Sequence, residues 1–189
     1  EELSNLTNLQ RLYLSNNQIQ NIDELSKLIN LKWLNLNNNK VKNIARLSNL
    51  TNLQWLDLSC NPIENIDILE KLILLDELNL NNTNIGNILV LEKLKNLKIL
   101  ELSNTKVKDL SALNKLEDLK ILNLSNNQIE FIGDLKELER LIWLDLNNNL
   151  LESIDALKGL YSLTWLDLSN NKIESIDMLK DLRKLNDLN

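Results

Sequence analysis

Carboxylates at fixed spacing are the residues of this chain most able to do chemistry. Asp57, Glu101, Asp145 and Asp167 are separated by multiples of 22 residues. Asp145 and Asp167, one interval apart, are the minimum for a paired-carboxylate acid–base site or for part of a calcium site. Both readings fail on what surrounds them. Calcium takes six or more oxygen ligands, which Asn123 and two aspartates do not supply. A carboxylate pair on an open surface has no dry pocket to move its proton affinity. The chain has no His, so the commonest general base and zinc ligand are absent. Cys60 is its one cysteine and can close neither an internal disulfide nor a cysteine zinc site. No catalytic residue, metal or cofactor is expected, and the chain is read as a non-enzyme.

Binding chemistry is better represented. Trp33, Trp55, Trp143 and Trp165, all the tryptophans of the chain, fall in one 22-residue register. That register reads Arg11, Trp33, Trp55, Glu77, Ile99, Ile121, Trp143, Trp165. Two residues on, a second reads Tyr13, Asn35, Asp57, Asn79, Glu101, Asn123, Asp145, Asp167. Tryptophan combines a large apolar area with an N–H and is enriched at the energetic centres of interfaces. With Asp187 included, the two registers hold six acids against the single base Arg11, a net of −5 out of the chain's −6. The expected site is a binding surface of Arg11, Tyr13, Trp33, Asn35, Trp55, Asp57, Glu77, Ile99, Glu101, Ile121, Trp143, Asp145, Trp165 and Asp167. Its expected partner is another protein with basic and apolar surface, steered there by charge.

These positions are ordered by a repeat. Leu9, Leu31, Leu53, Leu75, Leu97, Leu119, Leu141, Leu163 and Leu185 follow one another every 22 residues, and Leu12 and Leu14 begin parallel series. Alternation at Leu12-Tyr13-Leu14 has the period of a strand, which turns residues 11, 13 and 15 of each unit to the opposite face. On that face the strand spacing of about 4.8 Å lets Trp33 stack on Trp55 and Trp143 on Trp165. The spacing then changes to three at Ile19, Ile22, Leu25 and Leu28, which suits a short helical or 3₁₀ return. Asp23, Asp67, Asp155 and Asp177 stand where that return begins and are expected as N-caps, with Ser111 able to substitute. Asn17, Asn39, Asn61, Asn127, Asn149 and Asn171 form a column suited to satisfying backbone groups at the inward turn. Thr83 and Thr105 replace Asn in that column, which predicts weaker ties in the fourth and fifth units.

The motif LTNLQWLDLSCNPIENIDILEKL, Leu50 to Leu72, shows the pattern LxxLxLxxN followed by IxxLxxL. It resembles the leucine-rich-repeat family and its 22-residue class, which includes bacterial internalins and a regulatory subunit of protein phosphatase 1. The resemblance covers essentially the whole chain. It implies an α/β solenoid: a right-handed superhelix with a parallel sheet on the concave side and short helical or 3₁₀ segments on the convex side. It also implies that partners bind the concave face. Internalins often carry Ser-Pro or Thr-Pro after the second Ile, where this chain has Asp23-Glu24, Ala45-Arg46 or Asp67-Ile68.

Residues 1–189 are read as a single domain. It has eight full repeats from 9 to 184, partial repeats at both ends, and a place within a longer protein. Net charge −6 and a pI near 4.8 disfavour nucleic acid and anionic membranes. No apolar run reaches the length of a membrane span. An intracellular location is favoured unless a secretory signal precedes Glu1. The expected function is a protein-interaction module, as adaptor or regulatory subunit. The alternatives are an extracellular internalin-like adhesin and a carbohydrate-binding surface that uses the Trp register.

Overall fold

A computed structural model describes residues 3–189. Among these residues nine short strands form one open parallel sheet in chain order. They are β1 (Arg11–Tyr13), β2 (Trp33–Asn35), β3 (Trp55–Asp57), β4 (Glu77–Asn79), β5 (Ile99–Glu101), β6 (Ile121–Asn123), β7 (Trp143–Asp145), β8 (Trp165–Asp167) and β9 (Asp187–Leu188). Each residue pairs with the one 22 positions on, as in Trp33↔Trp55 and Leu34↔Leu56. The sequence register and the sheet register are therefore the same.

Returns between strands are 3₁₀ turns, such as Asp23–Lys27 and Ser111–Lys115. The reason lies in the three-residue apolar spacing. Leu25 N–H donates to Ile22 C=O, Leu28 N–H to Leu25 C=O and Leu31 N–H to Leu28 C=O, at 2.9–3.0 Å. At three residues per turn every such side chain falls on one line, and that line points inward. Leu28, Leu50, Leu72, Leu94, Leu116 and Leu138 are fully buried. The strand leucines Leu34, Leu56, Leu78, Leu100, Leu122, Leu144 and Leu166 close the same continuous core from the sheet side.

The Asn column behaves as a ladder. Asn149 Nδ2 donates to Leu124 C=O in the preceding repeat (2.9 Å) and to Leu146 C=O in its own (3.1 Å). Its Oδ1 accepts from Ile129 N–H at 3.0 Å. Asn39, Asn61 and Asn171 repeat the arrangement. Thr83 donates only to Leu80 C=O of its own repeat, and Ile63 N–H turns instead to Asn61 C=O. Thr105 likewise donates to Leu102 C=O, although its N–H reaches Asn127 Oδ1. The tie to the preceding repeat is lost at both threonines, as their shorter side chains predict.

Two local readings are corrected. Asp23, Asp67, Asp155 and Asp177 are not N-caps: they are the first residues of the turns, and their side chains make no cap bond. The acceptor sits two residues earlier. Asn21 Oδ1 accepts from Asp23 N–H, Asn43 from Ala45 N–H, Asn65 from Asp67 N–H and Asp109 from Ser111 N–H. The bond also holds Asp109 below the ordinary carboxylate range. Second, the register beginning at Ser15 lies beyond the three-residue strands: its side chains bond those of the outward face, as Ser59 Oγ–H does to Asp57 Oδ1, but Ser59 and Ser125 are buried there and not exposed.

Just before the Asn column the chain turns through a left-handed residue. Asn16, Asn38, Asn82, Asn104, Asn126, Asn148 and Asn170 have φ between 51° and 59°, and Cys60 stands in the same place at 54°. Asn tolerates this region better than other side chains with a β-carbon. The run of Asn there is a backbone requirement.

Candidate functional site

The expected binding residues fall on one face because β1 to β8 each place residues 11 and 13 of their unit on the side opposite the leucine core. Arg11 and Tyr13 are exposed, whereas Trp33, Trp55, Trp143 and Trp165 are half-buried by their neighbours along the sheet. Asn35, Asp57, Glu77, Ile99, Glu101, Ile121 and Asp167 are also half-buried, and Asp145 is 8% exposed. The register brings every one of them onto the same surface.

Tryptophan pairing differs between the two ends. Trp143 and Trp165 stack with ring centroids 4.3 Å apart and planes 8° from parallel. Among the described residues this is the aromatic stack of the face. Trp33 is not stacked on Trp55 as expected. Its ring is covered by the Arg11 guanidinium, whose Cζ lies 4.4 Å from the centroid. Arg11 and Trp33 are register partners, so the cation reaches the ring from the adjoining strand.

The acids are held in place by residues of the uniform Ser/Asn register, which the sequence pattern alone does not mark as functional. Asp57 Oδ1 accepts from Ser59 N–H (2.9 Å) and Oγ–H (2.5 Å). Asp167 Oδ1 accepts from Ser169 N–H and Oγ–H, and Asp145 Oδ1 from Asn147 N–H and Nδ2. A signal for this exists in the sequence: a residue two positions after each strand acid that always carries a donor. Glu101 Oε2 accepts from Asn81 Nδ2, just after β4, and from Asn123 Nδ2 on β6, so its charge is shared across three neighbouring repeats. Burial, and then the neighbouring Asp167 charge, push Asp145 above the ordinary carboxylate range.

Among the described residues no group of three or more His, Cys, Asp or Glu is placed to hold a metal ion. No described helix is long and apolar enough to cross a membrane. The face offers flat aromatic area, fixed carboxylates and hydroxyl or amide donors, which is the equipment of recognition.

Family models agree with this geometry. The leucine rich repeat model matches residues 119–173 and 140–189, a two-copy version matches 7–49 and 95–139, and a single-repeat version matches 52–72. No curated protein sequence matches significantly. Among solved structures, an internalin (InlF) of Listeria monocytogenes is 32% identical over 99% of this chain and 62% of its own, with a TM-score of 0.81. Internalin C2 of the same organism is 28% identical over 99% of this chain and 83% of its own, with a TM-score of 0.94. The ectodomain of the Arabidopsis thaliana receptor kinase GASSHO1/SCHENGEN3 is 26% identical over 99% of this chain and 24% of its own, with a TM-score of 0.87. The chain thus spans a little under two thirds of InlF and about a quarter of the plant ectodomain. Departures from Ser-Pro after the second Ile do not separate it from internalins in fold. Repeat motif, open parallel sheet, 3₁₀ returns and these matches together place the chain in the leucine-rich-repeat family, in its 22-residue, internalin-like class.

Proposed function

We propose that the sheet face from Arg11 to Asp167 is a protein-binding surface and that the chain works as an adaptor or regulatory module without a reaction of its own. The observation that carries this is the placement of all four tryptophans in one outward register, where none fills the leucine core. Sheet stability alone accounts for the stacked pair and for Trp33 beneath Arg11, but not for Trp55, which among the described residues has neither contact. Family membership supports the reading, because the leucine-rich-repeat fold is a generic protein-interaction module. The plant ectodomain was solved in complex with Casparian strip integrity factor 2.

Affinity capture from a native lysate tests the proposal, comparing the chain with a variant carrying Ser at 33, 55, 143 and 165. The expected result is a partner retained by the first and lost by the second, with both folded by circular dichroism. Identical partners for the two would overturn it.

A further inference from the structure

Resting on the reading that a protein docks on this face, we propose that the Trp143–Trp165 pair together with Asp145 and Asp167 seats an arginine side chain of that partner. The fold already shows how a guanidinium lies on this register. Arg11 covers Trp33 at 4.4 Å from its own chain. The far end of the register carries two indoles, stacked on each other, and among the described residues no cation lies over either. From β6 to β9 the two outward registers read Ile121, Asn123, Trp143, Asp145, Trp165, Asp167 and Asp187, with no base among them.

Geometry selects a planar cation. Trp143 pairs with Trp165 and Asp145 with Asp167, so a stacked pair of rings adjoins two carboxylates on neighbouring strands. Along each strand the acid follows the ring by two residues, about 7 Å, on the same face. A guanidinium can lie against an indole while its N–H groups reach a carboxylate, which an ammonium on a flexible stem does less well. Both acids are set in position by Asn147 and Ser169. Among the described residues neither is in an ion pair with a base. The buried, like-charged position of Asp145 is one that an incoming cation would relieve.

The test is selection of a random peptide library on the immobilised full chain, followed by titration of synthetic binders through tryptophan fluorescence. Enriched peptides are expected to carry Arg beside apolar residues. Replacing that Arg by citrulline, which keeps the shape and removes the charge, should weaken binding about tenfold. The double variant Asp145→Asn, Asp167→Asn should weaken the arginine peptide similarly and leave the citrulline peptide almost unaffected. Asn keeps the Oδ1 acceptor, so the turn that holds each side chain survives. Peptides without Arg, or peptides indifferent to the double variant but lost with the four tryptophans, would overturn the arginine seat and leave the sheet-face reading standing. A library that enriches no binder, or binders indifferent to the tryptophans, would overturn both.

Discussion

Phe131 occupies the space that a side chain on Gly133 would need. A β-carbon at Gly133 would lie 2.0 Å from Cζ of Phe131. In other repeats the equivalent of Phe131 is Asn, Asp or Ser, and its oxygen caps the 3₁₀ turn. Here a largely exposed ring lies across the turn instead, and the residue beneath it is glycine.

Phe131→Asn should restore the missing cap and raise stability by about 1 kcal/mol. Gly133→Ala should help more in the background of that first substitution than beside the phenylalanine, because only there is the space free. Chemical denaturation of the two single variants and the double variant measures this coupling, and strict additivity would argue against it.

Cys60→Asn should stabilise by about 1 kcal/mol, since it places a residue tolerant of positive φ where cysteine is strained. It also offers an amide between Asn38 and Asn82, each of which bonds to its other neighbour in the column, Asn16 and Asn104. Cys60→Ala, with the same backbone conflict, should give no gain by thermal melting.

Thr83→Asn should add a bond to the preceding repeat through Ile63 N–H and gain about 1 kcal/mol. The reverse experiment is harsher. Asn149→Ala leaves Ile129 N–H without its acceptor and removes one of the two donors from Leu124 C=O and from Leu146 C=O, which Asn127 and Asn171 still serve, and should cost about 2 kcal/mol by urea denaturation.

Asp145→Asn should raise the melting temperature at neutral pH. The acid's proton affinity is raised in the folded state by burial and by Asp167, while β6 and the turn after it present only the neutral Asn123 and Ser125 to it. An acid raised on folding destabilises the native state above its folded pKa and ceases to do so as pH falls through that pKa to the unfolded value. The advantage of the Asn variant should therefore shrink as pH falls from neutrality towards the ordinary carboxylate range and be gone below it. An advantage independent of pH would show that charge is not its cause.

Much of this architecture was legible in the sequence because the physical signals are periodic. Leu12, Leu34 and Leu56 could only alternate as strands, and a repeat without insertions aligned Trp33 with Trp55 and Asp145 with Asp167. Rotamer-level choices were not legible. Whether Trp33 meets Trp55 or Arg11 depends on which neighbour reaches its ring, and strand spacing permits both. The turn caps were misplaced by two residues because Asp23 and Asn21 are both good acceptors. Only the backbone path of the 3₁₀ turn decides between them. The left-handed position of Asn16 was hidden beside Asn17, since two adjacent Asn registers with different causes look like one.

A surface built on a repeat of constant length has a problem of address. One rung of the sheet is about 4.8 Å from the next, and a partner reading only the leucine lattice or the Ser/Asn register would find nearly the same footing after sliding by one. The irregular residues remove that translational freedom. Arg11 on Trp33, Ile99 beside Ile121, and the stacked Trp143 and Trp165 beside their two aspartates are landmarks at unequal intervals. A partner that fits them all can sit in one registry and no other.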